Sequence, residues 1–141
     1  MIKFTIVTIT YNAADVFMRT ADSVARQTYA AVEHLIIDGA SSDGTQNMAE
    51  EYKKASNAAC NGHEVRIISE PDKGLYDAMN KGRRLATGDY VCFLNAGDFF
   101  PSADTLDVIA ANARLEECSS EGKPLPGVLY GDTDWVDNDG N

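Results

Sequence analysis

Strand-like and helix-like segments alternate four times along this chain of 141 residues, and this alternation constrains the fold more than any other feature. The strand-like segments are short and rich in β-branched or aromatic residues, whereas the helix-like segments repeat apolar residues on one face. Such a pattern predicts an α/β fold in which a mostly parallel sheet is flanked by helices through right-handed crossovers. We predict strands at 4–9, 32–37, 65–69 and 90–94, and helices at 14–27, 45–59, 75–86 and 101–113.

The fourth predicted strand is apolar from Tyr90 to Leu94 and ends in the polar turn Asn95-Ala96-Gly97-Asp98. An uninterrupted apolar run of this length is typical of a strand that is buried on both faces, as in a parallel sheet. A carboxylate directly after such a strand lies where open α/β sheets hold their ligands. We therefore expect Asp98 to lie beside a metal ion in a ligand site.

Polar motifs follow all four predicted strands. They are Thr10-Tyr11-Asn12, Asp38-Gly39, Glu70-Pro71-Asp72 and Asn95-Ala96-Gly97-Asp98. Because the carboxyl ends of parallel strands meet at one edge of a sheet, we expect the four motifs to share one rim. The rim is acidic, and acidic sites bind phosphates through a hard cation such as Mg²⁺ or Mn²⁺. The pattern therefore predicts a metal-assisted site for an anionic, phosphate-bearing ligand.

Composition and missing motifs exclude several other classes of protein. The net charge of −10 argues against a nucleic-acid surface. The apolar runs fall far short of the roughly twenty residues of a membrane span, and the N-terminus lacks a signal-peptide pattern. A Rossmann glycine motif and a Walker phosphate loop are both absent. The three widely spaced cysteines fit free thiols in a reducing cytoplasm.

The domain organisation follows from the same pattern. We expect one ligand-binding domain over 1–141, with its motifs in 4–98. The remainder, 99–141, is expected to hold a helix, a polar connector at 116–126 and the start of a further sheet, with a strand or hairpin at 128–130 and 135–136.

Five motifs in this order resemble the nucleotide-binding half of family 2 glycosyltransferases. They are Thr10-Tyr11-Asn12, Gln27-Thr28-Tyr29, the loop from Asp38 to Thr45, the segment from Asp72 to Gly82, and Leu94-Asn95-Ala96-Gly97-Asp98. The similarity runs from about Ile6 to Asp98. The segment from Asp72 to Gly82 looks most like bacterial transferases of capsule, exopolysaccharide or colanic-acid type.

The resemblance implies a GT-A fold and an inverting transfer of a sugar from a nucleoside diphosphate sugar, with a UDP-sugar as the expected donor. The implied acceptor is a saccharide or a lipid-linked acceptor, in cell-surface or exopolysaccharide biosynthesis. By position, Thr10 and Tyr11 border the nucleoside, Asp38 accepts a hydrogen bond from the base, and Asp98 meets the metal, diphosphate and ribose. The full set of expected donor-binding residues is Thr10, Tyr11, Asn12, Asp38, Asp72, Lys73, Asn80, Asn95 and Asp98, with Asp98 as the metal ligand.

The chain departs from the family pattern at Asn95, which stands where the family's Asp-x-Asp motif has its first aspartate. An amide oxygen can coordinate Mg²⁺ or Mn²⁺ but supplies no charge, so we expect a weaker metal site. The resemblance also puts the catalytic base in an acceptor-binding half beyond Asn141. We therefore expect a truncated transferase whose base is unknown.

Simpler interpretations remain open for several of these residues. Asp38, Asp43 and Asn12 could be turn or cap residues, because both residue types are favoured in turns. Lys73 could be a solvated lysine, and Asn80 could hydrogen-bond only a neighbouring loop.

Two other functions also remain open. One is a non-catalytic nucleotide-binding or assembly module; the other is a nucleotidyltransferase, which we would expect to carry a glycine-rich, basic stretch after strand 1. A cytoplasmic location, association with the inner face of a membrane, and self-association are further hypotheses.

Overall fold

The computed structural model describes residues 1–127, which form a four-stranded parallel sheet between two layers of helices. The strands are β1 (Phe4–Thr10), β2 (Val32–Asp38), β3 (Glu64–Ser69) and β4 (Tyr90–Phe93). The helices are α1 (Phe17–Ala25), α2 (Thr45–Ala59), α3 (Leu75–Leu85), α4 (Thr105–Asn112) and α5 (Leu115–Ser120). The predicted α/β class and parallel sheet are confirmed.

The strand order in the sheet is β3-β2-β1-β4, and every neighbouring pair is parallel. The register places Phe4 of β1 opposite Val32 of β2 and Tyr90 of β4. All seven residues of β2 are buried, as expected for a central strand covered on both faces. Because the four strands run in one direction, their carboxyl ends lie at the same edge of the sheet.

Helices cover both faces of the sheet. Phe17 of α1 and Tyr52 of α2 pack with Ile36 on one face. On the other face, α3 packs against Val7 and its neighbours in β1 and β2. A Cβ atom at Gly82 would lie 2.5 Å from Val7 Cγ1, so glycine at this position lets α3 approach the sheet directly.

Strand β4 contradicts the prediction that it is buried on both faces. Val91 is 39% exposed and Phe93 is 36% exposed, while Tyr90 and Cys92 are half-buried. The cause is position: within residues 1–127, β4 pairs with β1 alone and forms an edge of the sheet. An apolar run indicates a strand but does not report whether both of its faces are covered.

Helix boundaries also differ from the predictions. Helix α1 begins at Phe17 rather than at 14, because Ala13 to Val16 form a turn closed by a 3.1 Å hydrogen bond from Val16 N to Ala13 O. Helix α4 begins at Thr105 rather than at 101.

The predicted polar connector at 116–126 contains most of helix α5, which begins one residue earlier at the buried Leu115. Helix α2 begins at Thr45, as predicted, and Gly44 occupies its cap position. The predicted strand or hairpin at 128–130 and 135–136 lies outside the described residues.

A buried polar network joins β1, β2 and α2. His34 is fully buried; its Nδ1 lies 2.7 Å from the Tyr52 hydroxyl and its Nε2 lies 2.8 Å from Thr8 Oγ1. Burial and, to a lesser extent, the nearby His63 together lower the pKa of His34 to about 3. His34 is therefore a neutral structural residue at neutral pH, where its ring joins the second strand to helix α2.

A buried carboxylate stabilises the opposite, amino-terminal edge of the sheet. Glu33 is fully buried and accepts hydrogen bonds from Thr87, Arg66 and Thr5. Burial alone would raise the pKa of Glu33, but these hydrogen bonds outweigh it and lower the pKa to about 2. Glu33 therefore ties the segment after α3 to the sheet and lies away from the predicted site.

Candidate functional site

Backbone hydrogen bonds connect the four strand ends into one continuous rim. Gly39 N donates to Thr10 O, Glu70 N donates to Asp38 O, and Ala96 N donates to Ile9 O, each at 3.0 Å. With parallel strands spaced about 4.8 Å apart, the ends of β3 and β4 are about 14 Å apart along this rim. The four polar motifs therefore share one edge, which is long enough for an extended ligand.

Tyr11 and Asp72 flank the same glycine. A Cβ atom at Gly39 would lie 3.0 Å from Asp72 Oδ2 and 3.3 Å from Tyr11 Cδ2. The Tyr11 side chain is 65% exposed, which leaves much of its ring accessible. The rim therefore presents an aromatic ring and a carboxylate next to each other at the ends of β1 and β3.

Asp38 organises the loop that follows β2. Its carboxylate is buried and accepts hydrogen bonds from Ser41 N, Ser41 Oγ and Ser69 Oγ. A carboxylate offers about four acceptor positions, so one remains after these three bonds. The sequence alone did not single out Ser41 or Ser69 as partners of Asp38. The expected hydrogen bond from the nucleotide base to Asp38 stays a prediction.

Asn12 and Asp43 have the turn roles that the simpler interpretation gave them. Asn12 adopts a positive φ of 47°; its N–H donates to Ser41 Oγ and its side-chain oxygen accepts from Ser42 N, both at 2.8 Å. Asp43 accepts hydrogen bonds from Thr45 and from Ala14 N, and the bond from the Thr45 hydroxyl group, followed by the bond from Ala14, lowers the pKa of its exposed carboxyl group. These contacts hold the loops after β1 and β2 together.

Two oxygens of the predicted site lack a protein partner. Among residues 1–127, the buried side-chain N and O atoms without a hydrogen bond are Thr10 Oγ1 and Asn95 Oδ1. A buried polar group left unpaired costs about 1–3 kcal/mol, so most such groups in proteins are satisfied. Both atoms lie on the rim, where a bound ligand could supply the missing partner.

Asp98 lies in an exposed turn after β4. Its backbone N–H donates to Asn95 O at 2.9 Å, which closes the turn. No group of three His, Cys, Asp or Glu residues in the described chain forms a metal site. Mg²⁺, however, is commonly held by one or two carboxylates together with phosphate oxygens. A carboxylate such as that of Asp98 and an amide oxygen such as that of Asn95 are the types of ligand that such a shared cation takes, and their contact with a metal stays a prediction.

The remaining predicted residues lie on the segment that leads into α3. Lys73 and Asn80 are exposed, and the Lys73 backbone N–H donates to Asp77. A residue that the sequence did not single out organises this segment: Lys81 is 12% exposed, forms a 3.2 Å ion pair with Glu70 and donates to Pro71 O. Lys81 thus holds the loop that carries Asp72. The ligand contacts of Lys73 and Asn80 stay predictions.

A separate groove of about 490 Å³ lies between α1 and α2. Its lining includes Met18, Met48 and Tyr52, and none of the nine predicted donor-binding residues contributes to it. Within the described part of the chain, every helix is too short or too polar to cross a lipid bilayer.

Comparisons with known proteins identify relatives of this chain. It is 42% identical over 129 residues to the "PGL/p-HBAD biosynthesis glycosyltransferase" of Mycobacterium bovis, a match that covers 92% of this chain and 46% of the relative. It is 32% identical over 154 residues to the "uncharacterized glycosyltransferase YibD" of Escherichia coli, covering 95% of this chain and 43% of the relative. The chain therefore spans about half the length of these curated relatives.

Solved structures show the same fold. The mannosyltransferase PcManGT from Pyrobaculum calidifontis, in complex with GDP-Man and Mn²⁺, is similar with a TM-score of 0.65 and 27% identity over 74% of this chain and 30% of that chain. TarS from S. aureus, in complex with UDP-GlcNAc, has a TM-score of 0.68 and 23% identity over 82% of this chain and 32% of that chain. The predicted GT-A fold is thereby confirmed.

The family model "Glycosyl transferase family 2" matches residues 5–119, which include all four strands except Phe4, the first residue of β1, and the complete rim. The chain belongs to glycosyl transferase family 2.

Proposed function

We propose that this chain forms the donor-binding part of an inverting glycosyltransferase that uses a nucleoside diphosphate sugar, with UDP as the nucleotide. The observation that carries the proposal is the pair of unpaired buried oxygens, Thr10 Oγ1 and Asn95 Oδ1, on the rim that also holds Asp98. The structural similarity to PcManGT, whose complex contains GDP-Man and Mn²⁺, supports this type of donor.

The base of the nucleotide is assigned to the β1–β3 side of the rim. The exposed ring of Tyr11 offers a surface for stacking, and Asp72 lies beside it. Asp38 retains one acceptor position for an N–H group of the base. Thr10 Oγ1 is assigned to the nucleoside, because it lies at the end of β1 between these groups and β4.

The diphosphate is assigned to the β4 side of the rim. Asp98, and Asn95 through its amide oxygen, would hold a divalent cation there. When bound, Mg²⁺ or Mn²⁺ supplies positive charge that stabilises the departing diphosphate. With one carboxylate and one neutral amide in the motif, the protein leaves more of the cation's charge to be balanced by the diphosphate itself. Binding of the metal should therefore depend strongly on the nucleotide.

The acceptor is proposed to be a saccharide or a lipid-linked acceptor. The mycobacterial relatives are named as PGL/p-HBAD biosynthesis glycosyltransferases, which supports sugar transfer in a biosynthetic role. We assign no described carboxylate as the catalytic base, so the acceptor side stays unassigned. The predicted cytoplasmic location, membrane association and self-association also stay predictions.

Isothermal titration calorimetry with UDP and Mn²⁺ tests the donor proposal. We expect the wild-type chain to bind UDP with Mn²⁺, and Asp98→Ala to abolish the Mn²⁺-dependent part of the binding. Asp104→Ala serves as a matched control, because Asp104 is an exposed aspartate before α4 and outside the rim. Absence of binding by UDP, GDP and dTDP at millimolar concentration, each with Mn²⁺, would contradict the proposal.

A further inference from the structure

Helix α1 holds the turn that carries Asp98. The Arg19 guanidinium donates to Gly97 O from both Nε, at 3.0 Å, and Nη2, at 2.7 Å. The Cζ atom of Arg19 also lies 5.2 Å from the ring centroid of Phe99, a distance typical of a cation–π contact. One side chain of α1 therefore contacts the turn at residues on both sides of Asp98.

Thr20 holds the same turn from the next position in α1. Its hydroxyl accepts a 2.8 Å hydrogen bond from Gly97 N and lies 3.4 Å from Asn95 O, to which it can donate. Thr20 is fully buried, so water cannot readily replace it as a partner. Together, Arg19 and Thr20 satisfy both the N–H and the C=O of Gly97.

The geometry of the turn explains why it requires support. Gly97 has a φ of 103°, a region that side-chain-bearing residues rarely adopt. Backbone hydrogen bonds to β1 extend past the end of β4 as far as Ala96 N, which donates to Ile9 O, and the exposed Asp98 lies two residues beyond it. A carboxylate that holds a cation must be oriented before the ligand arrives, and contacts behind the ligating residue commonly provide this orientation.

We propose that Arg19 and Thr20 are positioning residues that set the affinity of the rim for a metal-bridged diphosphate by fixing the Asn95–Asp98 turn. This inference rests on the proposed function, because it assigns Asp98 to that ligand. Arg19 acts through the Gly97 carbonyl group. Two N–H donors converge on this oxygen, an arrangement that the single ammonium group of lysine reproduces only in part.

A double-mutant cycle with Asp98 tests the inference. We expect Arg19→Met and Thr20→Val to weaken binding of UDP with Mn²⁺ roughly tenfold, the lower end of the effect of removing a residue that orients a metal ligand. In the Asp98→Ala background, the same substitutions should cause no further loss, because they act through Asp98. Arg19→Lys should recover part of the affinity, and Arg26→Met, at the exposed C-cap of the same helix, should match the wild type.

Amide hydrogen exchange provides a second readout that needs no ligand. Arg19→Met should accelerate exchange at Gly97 and Asp98, and leave the central strand β2 unchanged. Equal losses of affinity in the wild-type and Asp98→Ala backgrounds would overturn the inference, since Arg19 would then contact the ligand directly or stabilise the whole fold. Unchanged exchange at the turn would overturn it as well.

The two proposals fail in different ways. If the wild-type chain binds no nucleotide with Mn²⁺, the proposed function fails and the affinity claim fails with it. If the wild-type chain binds and the Arg19 and Thr20 variants bind equally well, only the positioning role is overturned.

Discussion

Thr10 Oγ1 and Asn95 Oδ1 stand at the carboxyl ends of the adjacent strands β1 and β4, and both are buried without a hydrogen-bond partner in the described chain. Each unpaired group costs about 1–3 kcal/mol of folding stability in the free protein. Two unpaired oxygens at the same edge of the sheet lower the folding stability, and such pairs are typical of a site where a ligand completes the hydrogen bonds. The pair therefore links the fold of the rim to its proposed function.

Thr10→Val should separate stability from binding. Valine has the shape of threonine without the hydroxyl group, so the free energy of unfolding should stay the same or rise by about 1 kcal/mol, because an unpaired group is removed. Affinity for UDP with Mn²⁺ should fall. Chemical denaturation and calorimetry measure the two effects.

Thr8→Val is the matched control, because Thr8 lies two residues earlier in β1 and is bonded to His34 at 2.8 Å. This substitution should lower the free energy of unfolding by about 1–3 kcal/mol, since it leaves the His34 ring nitrogen unpaired. A loss of stability in Thr10→Val equal to that in Thr8→Val would contradict the assignment of Thr10 to a ligand.

Asn95→Asp should strengthen the metal site. A second carboxylate beside Asp98 adds a charge toward the cation, so affinity for Mn²⁺ in the presence of UDP should rise roughly tenfold. Without metal, the buried oxygen would carry an unpaired charge, so the free energy of unfolding should fall by at least about 1 kcal/mol. Asn47→Asp, an equal change of charge at an exposed position in α2, should alter neither the metal affinity nor its dependence on UDP. Equal metal affinity in Asn95→Asp and the wild type would argue that Asn95 does not face the cation.

Ala40→Gly should stabilise the free chain. Ala40 adopts a φ of 64°, a left-handed conformation that costs a residue with a Cβ atom about 1–2 kcal/mol. Glycine relieves this strain but has more conformational entropy in the unfolded state, worth about 0.5–1 kcal/mol. We expect a net gain of about 0.5–1 kcal/mol in urea denaturation. The control Ala55→Gly, in the middle of α2, should instead lose about 1 kcal/mol.

Folding stability should fall as the pH drops below about 6.5, because of His34. The pKa of His34 is about 3 in the folded protein and 6.5 in the unfolded chain. Between these pH values the unfolded chain therefore binds a proton that the folded chain excludes. The free energy of unfolding should then decrease by up to about 1.4 kcal/mol per pH unit below pH 6.5. The low pKa of Glu33, about 2, adds a further loss only below about pH 4.5.

Denaturation between pH 5 and pH 7 isolates the contribution of His34. His34→Gln should flatten the slope in this window, whereas His63→Gln should retain it, since His63 is the other histidine of the chain. A slope that survives in His34→Gln would show that another group causes the acid sensitivity.

The parallel sheet and its rim could be predicted because both follow from local patterns. Alternating segments determine the class of fold, and parallel strands bring the motifs that follow them to one edge. The edge position of β4 could not be predicted, because the apolar run from Tyr90 to Leu94 is the same whether or not another layer covers it. Helix α5 was missed because its sequence is polar, with Leu115 as its buried side chain.

The supporting residues of the site could not be predicted for a different reason. Arg19 and Gly97 are 78 positions apart, and Ser69 and Asp38 are 31 apart. Neither spacing carries a periodic signal, because each contact arises only after the sheet has assembled. A sequence can therefore indicate which residues face a ligand more readily than which residues hold them in place.

Paramagnetic NMR on the 15.3 kDa chain tests the central claim most directly, because Mn²⁺ broadens the signals of nearby amides. With UDP present, we predict that Mn²⁺ broadens the amide signals of Asn95 to Asp98 most strongly and those of Thr10 and Tyr11 to a lesser degree. Asp98→Ala should abolish this pattern. Strongest broadening beside Asp22 and Glu51 at the α1–α2 groove, with residues 95–98 unaffected, would contradict the assignment of the rim as the donor site.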